Sequence, residues 1–185
     1  NHAGWDPAIP GETINRYCAS GLSACNAAAC RIAIGSETVM VAGGVESMSR
    51  VAMLSDDAPV YSDPDLRQSM QFVPTGIVAD LLATVEDILR EELDAYGIQS
   101  HQRAARAQQE GRFQRSLIAV GSPDGAVLLD HDEIVRPDKT AQEYASREPA
   151  YAELGARGAD ALALADWPEV SAINHRHHGW ISPGM

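Results

Sequence analysis

Residues 14–49 read INRYCASGLSACNAAACRIAIGSETVMVAGGVESMS, and the fold follows from how that run divides. Residues 12–17 predict a short strand. Residues 20–34 predict a helix, because Leu22, Cys25, Ala29 and Ile32 recur three and four apart and share one face. Ala24, Ala27, Ala28 and Ala33 cover much of the rest, and a helix this small all round is expected to be packed on several sides. Gly35 closes it as a C-cap. Residues 38–42, TVMVA, are a second strand run with little polar alternation, the pattern of a buried parallel strand. Strand, helix, strand makes a right-handed βαβ unit that expects neighbours on more than one side.

Cys18 falls where the first strand turns into the helix. Free N–H groups and the dipole at a helix N-terminus stabilise a thiolate. Ala19, Ser20 and Gly21 are small enough for a substrate carbonyl to approach the backbone, with the Cys18 N–H as a candidate oxyanion donor. This is the physics of a nucleophile elbow on a different motif. The alternative is an ordinary buried thiol. That alternative is the expectation for Cys25 and Cys30, which lie inside the helix and gain nothing from its N-terminus.

The rest of the chain bounds the class. Its 185 residues suggest one domain or parts of two, and an apolar content of 45% is that of a globular protein. A net charge of -12 with scattered positive residues argues against non-specific nucleic-acid or anionic-membrane binding. A local arginine can still hold a phosphate. Three cysteines without a CxxC make neither a disulfide framework nor a zinc site, and a reduced, cytoplasmic setting is expected. No apolar run is long enough to span a membrane, and no signal peptide is apparent. The chain starts at Asn1 without a methionine, which reads as a cut or incomplete end.

Beyond Ser49, residues 53–74 are rich in proline and aspartate and read as an excursion from the sheet. Residues 77–89 predict a helix with Ala79, Leu82 and Val85 on one stripe. Residues 91–109 predict a second helix, polar on one side and ended by Gly111. SLIAV, SPDGA and AVLLDHDE read as strand, turn and returning strand of a hairpin. Residues 140–144 suggest one more helical turn, and residues 151–166 are alanine-rich. The terminal RHHGWISPGM follows His175, which with His177 and His178 makes an H-x-H-H run that could bind a metal weakly, but it reads rather as an out-of-frame or divergent end, since such a run at a frayed terminus has no rigid geometry.

INRYCASGLSA resembles the active-site signature of thiolases, and AGGVESMS resembles the glycine loop that follows it in that family. The Asn15–Arg16 pair sets it apart from the related ketoacyl synthases. Cys25 departs from the pattern, which usually has an aliphatic residue there. The helical pair of residues 76–113 resembles the thiolase loop domain, and DHDEIVRPDKT resembles the family's Asp-Glu-x-x-Arg stretch. The resemblance is good over residues 7–151 and fades beyond, although EVSAINH still looks familial.

The resemblance implies an α/β, thiolase-like fold: part of the N-terminal αβαβα half, residues 1–49, carrying the nucleophile. Most of an inserted, coenzyme A-binding loop domain would follow at 50–170, then the divergent end at 171–185. It implies acyl transfer between a 3-ketoacyl-CoA and CoA through a thioester on Cys18. CoA or acyl-CoA is a substrate, with no covalently bound cofactor and no metal, and the complete enzyme is a homo-oligomer (dimer or tetramer). It also implies that Arg136 contacts the adenine and phosphate end of CoA, as a guanidinium suits. The alternative for Arg136 is a surface arginine paired with Asp132 or Glu133. Pro74 and Thr75 replace a His-Met pair near the pantetheine in many thiolases, and FVPTGIVADLLAT looks more like degradative thiolases acting on bulky acyl groups. His2, His101, His131, His175, His177 and His178 do not match the catalytic histidine's motif, and no second cysteine-glycine run is present. The expectation is therefore a chain inactive alone, or else a non-catalytic, thiolase-like remnant that binds CoA or a partner subunit. A cysteine hydrolase of another family would need a histidine held against Cys18.

Overall fold

The computed structural model describes residues 4–47, 49–52 and 54–179. They form two compact units divided between Asp57 and Ala58. His2, Met48, Met53 and residues 180–185, which carry parts of the sequence readings above, lie outside the described residues.

The first unit is built on one helix. A 3₁₀ turn, Tyr17–Ala19, leads into α1, Ser20–Ala33. Gly35, at φ 75°, ends it as expected, with Ser36 N–H donating to Arg31 O at 3.1 Å. The strands expected at 12–17 and 38–42 are not formed, and so neither is the βαβ unit. A β-branched run fits a pleated surface, but a strand exists only where a second strand takes up its N–H and C=O groups. None of the described residues in this unit does so. The helix expected to be packed on several sides has no buried residue, and Cys25 and Cys30 are exposed rather than buried.

The second unit has a core. Asp63 caps α2 (Pro64–Ser69) by accepting from Asp65 N and Leu66 N at 2.9 and 3.0 Å. Helix α3 spans Thr75–Val85, and α4 spans Arg90–Gln109, where the Glu92 side chain reaches back to Leu89 N–H. Val120–Gly121 (β1) and Val127–Leu129 (β2) pair antiparallel around the turn at Ser122–Gly125, the hairpin the sequence predicts. Thr140 caps α5, Ala141–Ala145, in a reciprocal box with Glu143. Then α6 (Ala152–Leu154) and α7 (Asp160–Ala163) are separated by a kink at Gly158, φ 110°.

Ile77, Leu81, Ala159, Ala163 and Ile173 form the centre, with Tyr151 and Leu154 against it. Ile77, Leu81 and Ile173 each contribute about 1.5–3 kcal/mol of transfer free energy by burial, the two alanines less. Position 76 must be glycine for α3 to reach this core, since a Cβ there would stand 2.1 Å from the Tyr151 ring. Helix α3 ends at Val85, not Leu89, and it buries a different stripe from the one expected. Gly76, Ile77, Asp80, Leu81 and Ala83 are inside, whereas Leu82 and Val85 are exposed. An apolar count cannot find that stripe, because a carboxylate sits at its middle.

Candidate functional site

Cys18 occupies the middle of the turn into α1 and is exposed. The turn is held by the residues that precede and follow the thiol. Tyr17 N–H donates to Asn15 Oδ1 at 3.0 Å. Ser20 Oγ accepts from Arg16 N–H at 2.8 Å and donates to Tyr17 O at 2.6 Å. Tyr17 Oη donates to Asp56 at 2.9 Å. The result is a non-glycine residue, Tyr17, at φ 49° immediately before the cysteine. A left-handed backbone at such a residue costs about 1–3 kcal/mol and persists only where its surroundings over-determine it. Here four side-chain hydrogen bonds do so, three of them made by Tyr17 itself, and they present the thiol beside the first N–H groups of a 14-residue helix.

Arg136 lies in the second unit and is half-buried. Its backbone N–H donates to His101 Nδ1 of α4 at 3.2 Å, which ties the 130–137 loop to that helix. His101 is thereby a loop anchor. His131 is exposed and 2.8 Å from Asp130. Cys18 and Arg136 thus belong to different units, and each is positioned by its own.

A constellation not expected from the sequence lies in the second unit. The H-x-H-H run is no frayed end. It crosses α3 and α4 as a strap whose residues are anchored one after another. Asp80 of α3, with no exposed surface, accepts from Arg176 N and His177 N at 2.8 and 3.0 Å. It also faces His175 Nδ1 at 2.9 Å and His177 Nδ1 at 2.6 Å. His175 Nε2 is 3.0 Å from Asp160 of α7. His178 Nε2 is 3.0 Å from Asp94 of α4, and its ring meets Tyr144 edge-on with centroids 5.5 Å apart. Asp94 in turn takes Arg90 Nε at 2.9 Å, and the Arg90 guanidinium donates to Tyr144 O and Arg147 O. The Arg176 guanidinium donates to Ala83 O and Ile88 O at the end of α3. Asn174 N–H donates to Thr84 Oγ1 at 3.0 Å.

The charges follow from these contacts. Burial pushes Asp80 up, but the bonds from His177, Arg176 N and His175 outweigh it and hold the carboxyl below its usual range. Burial pushes His175 down, yet Asp80 and Asp160 together carry it above the usual imidazole value. For His178 burial wins over Asp94, and the ring is pushed down. A signal for this cluster does exist in the sequence: Asp80 falls between Ile77 and Leu81 on a helix, where only a paired carboxylate is tolerated. Its partners lie 95 to 97 residues away.

The family described as thiolase, N-terminal domain, matches residues 1–166. The chain is 35% identical over 171 residues to the 3-ketoacyl-CoA thiolase of Acinetobacter baumannii (strain AYE), covering 89% of this chain and 43% of that protein. It is 36% identical over 178 residues to the 3-ketoacyl-CoA thiolase of Psychrobacter cryohalolentis, covering 92% and 45%. The dimeric peroxisomal thiolase of Saccharomyces cerevisiae superposes with a TM-score of 0.66 at 30% identity, over 82% of this chain and 39% of that one. The chain thus spans less than half the length of these relatives.

Proposed function

The chain belongs to the thiolase family, and from that premise we propose that it serves acyl transfer between a 3-ketoacyl-CoA and coenzyme A, with Cys18 as the nucleophile. The observation that carries the reading is the Cys18 turn: an exposed thiol directly after a left-handed tyrosine, at the start of α1. In this reading Cys18 Sγ attacks the 3-keto carbonyl carbon, the bond between the α and β carbons breaks so that the two-carbon CoA thioester leaves and takes up a proton, and the thiol of a second CoA then displaces Cys18 Sγ to release the shortened acyl-CoA. Arg136 holds the adenine and phosphate end of CoA, in keeping with its placement on a loop anchored to α4. The acyl-CoA is the substrate, a homo-oligomer is the working form, and a reducing, cytoplasmic setting suits three free, exposed thiols.

The described residues of the first unit include no histidine to activate Cys18. We therefore expect the 185 residues alone to show no useful thiolysis or condensation, since catalytic groups that act as a unit lose most of the rate when one is gone. The same observation favours a second reading, a thiolase-like chain that binds CoA or a partner without catalysis. Limiting iodoacetamide with peptide mapping separates Cys18 from its neighbours. All three cysteines are exposed, so accessibility alone would label them alike. Preferential modification of Cys18 is expected, and preferential modification of Cys25 or Cys30 would overturn the assignment. Normal turnover of a 3-ketoacyl-CoA by the purified chain would contradict the expected inactivity.

A further inference from the structure

Both ring nitrogens of His175 face carboxylate oxygens, Asp80 at 2.9 Å and Asp160 at 3.0 Å. A neutral imidazole has one N–H and can donate to only one of them, leaving its other lone pair against a carboxylate. Only the imidazolium satisfies both. The site has been closed around this bridge. A Cβ at Gly155 would stand 2.3 Å from Asp160 Oδ1 and 2.6 Å from His175 Nε2, so only glycine lets the turn before α7 pass so close.

We propose that residues 174–178 are a proton-operated strap: His175, as an imidazolium, ties α3 to α7 through Asp80 and Asp160, and loss of that proton breaks this bridge and loosens the strap. The groups that face His175 are few. Helix α3 supplies Asp80 and α7 supplies Asp160, while the turn at Gly155 supplies only backbone. Within the strap, Arg176 directs its guanidinium to Ala83 O and Ile88 O, and His177 shares Asp80. Deprotonation leaves one N–H for two carboxylates: Asp80 keeps His177 and two amide N–H groups whichever nitrogen loses its proton, and the bridge between α3 and α7 opens on one side.

The direction with pH follows. The folded value of His175 is raised, so its contribution is full below the unfolded value of about 6.5 and is lost as pH rises through the folded value. His178 has the opposite sign: its value is lowered, so its contribution is full above about 6.5 and fades as pH falls through that value toward the folded one. The strap is therefore gripped at His178 and at His175 from opposite sides of the same window, and the alkaline loosening belongs to His175.

The test uses the intact chain. Nitrogen NMR of the His175 ring and hydrogen-exchange protection of the Arg176 and His177 amides are followed from about pH 5 to about pH 9, the range in which histidine titrates. At about pH 6 both ring nitrogens are expected to be protonated. As the ring loses its proton, protection of the two amides should fall with the same midpoint as the ring titration. Asp160→Asn removes one of the two carboxylates and should move both midpoints down by roughly one pH unit or more. A neutral His175 ring at about pH 6, below even the unshifted value, would overturn the proposal. So would protection that stays flat, a loss shared equally by the α4 amides, or an Asp160→Asn chain that titrates unchanged. If that variant does not fold, the ring and amide titrations of the unsubstituted chain decide alone.

Discussion

The two units make opposite use of apolar residues. In the first, Val39, Val41 and Val45 are 80%, 71% and 94% exposed, Ile34 is 79% exposed, and no described residue is buried. In the second, Ile77 and Tyr144 are fully buried and Asp80 lies with them. The lesson is that the exposed thiol of Cys18 and the buried core are housed apart. The exposed thiol sits on a helix that its own unit leaves uncovered, with the local turn held by Asn15, Ser20 and Asp56. The second unit carries a core and a buried polar network. Exposed apolar surface on this scale marks an interaction face or an aggregation hazard.

The comparison can be broken most forcefully at Asp80. Asp80→Ala strips the strap of its central acceptor and leaves His175, His177 and two backbone N–H groups without it. Removing one partner from a buried ionic network costs about 3–5 kcal/mol. Urea unfolding of the second unit should shift by that amount, whereas α1 helicity should not change. A loss below about 1 kcal/mol would mean that the network is not what holds the strap. Next in size, Ile77→Ala should cost about 2–5 kcal/mol by opening a cavity in the core. Ile34→Ala or Val41→Ala, in the first unit, should stay within about 0.5 kcal/mol because these side chains are already in solvent. Equal costs at Ile77 and Ile34 would abolish the distinction between the units.

Much of this was legible in the sequence where the signal is local. The periodicity of residues 20–34 and 91–109 gave α1 and α4 nearly to the residue, Gly35 and Gly111 marked their ends, and the SPDGA turn marked the hairpin. The thiolase-like fold was legible too, through the residues around Cys18. What depends on distant partners was not. Residues 12–17 and 38–42 have strand composition but find no ladder among the described residues. The strap was misread as a loose end because histidines reveal their rigidity only through Asp80, Asp94 and Asp160, residues far away in sequence. The stripe on α3 was misplaced for the same reason: Asp80 is buried because His175 and His177 make it so.

Hydrogen exchange along the whole chain, at a dilution where it is monomeric, tests the separation of thiol and core most directly. Amides of α3, of α4 near Asp94 and of residues 174–178 should exchange only through cooperative opening of the second unit. Amides of α1, including those behind Cys18, should exchange at least about a hundredfold faster, because an isolated 14-residue helix without packing is marginal in water. Protection of α1 equal to that of α3 in the monomer would contradict this separation, since the first unit would then hold a core of its own.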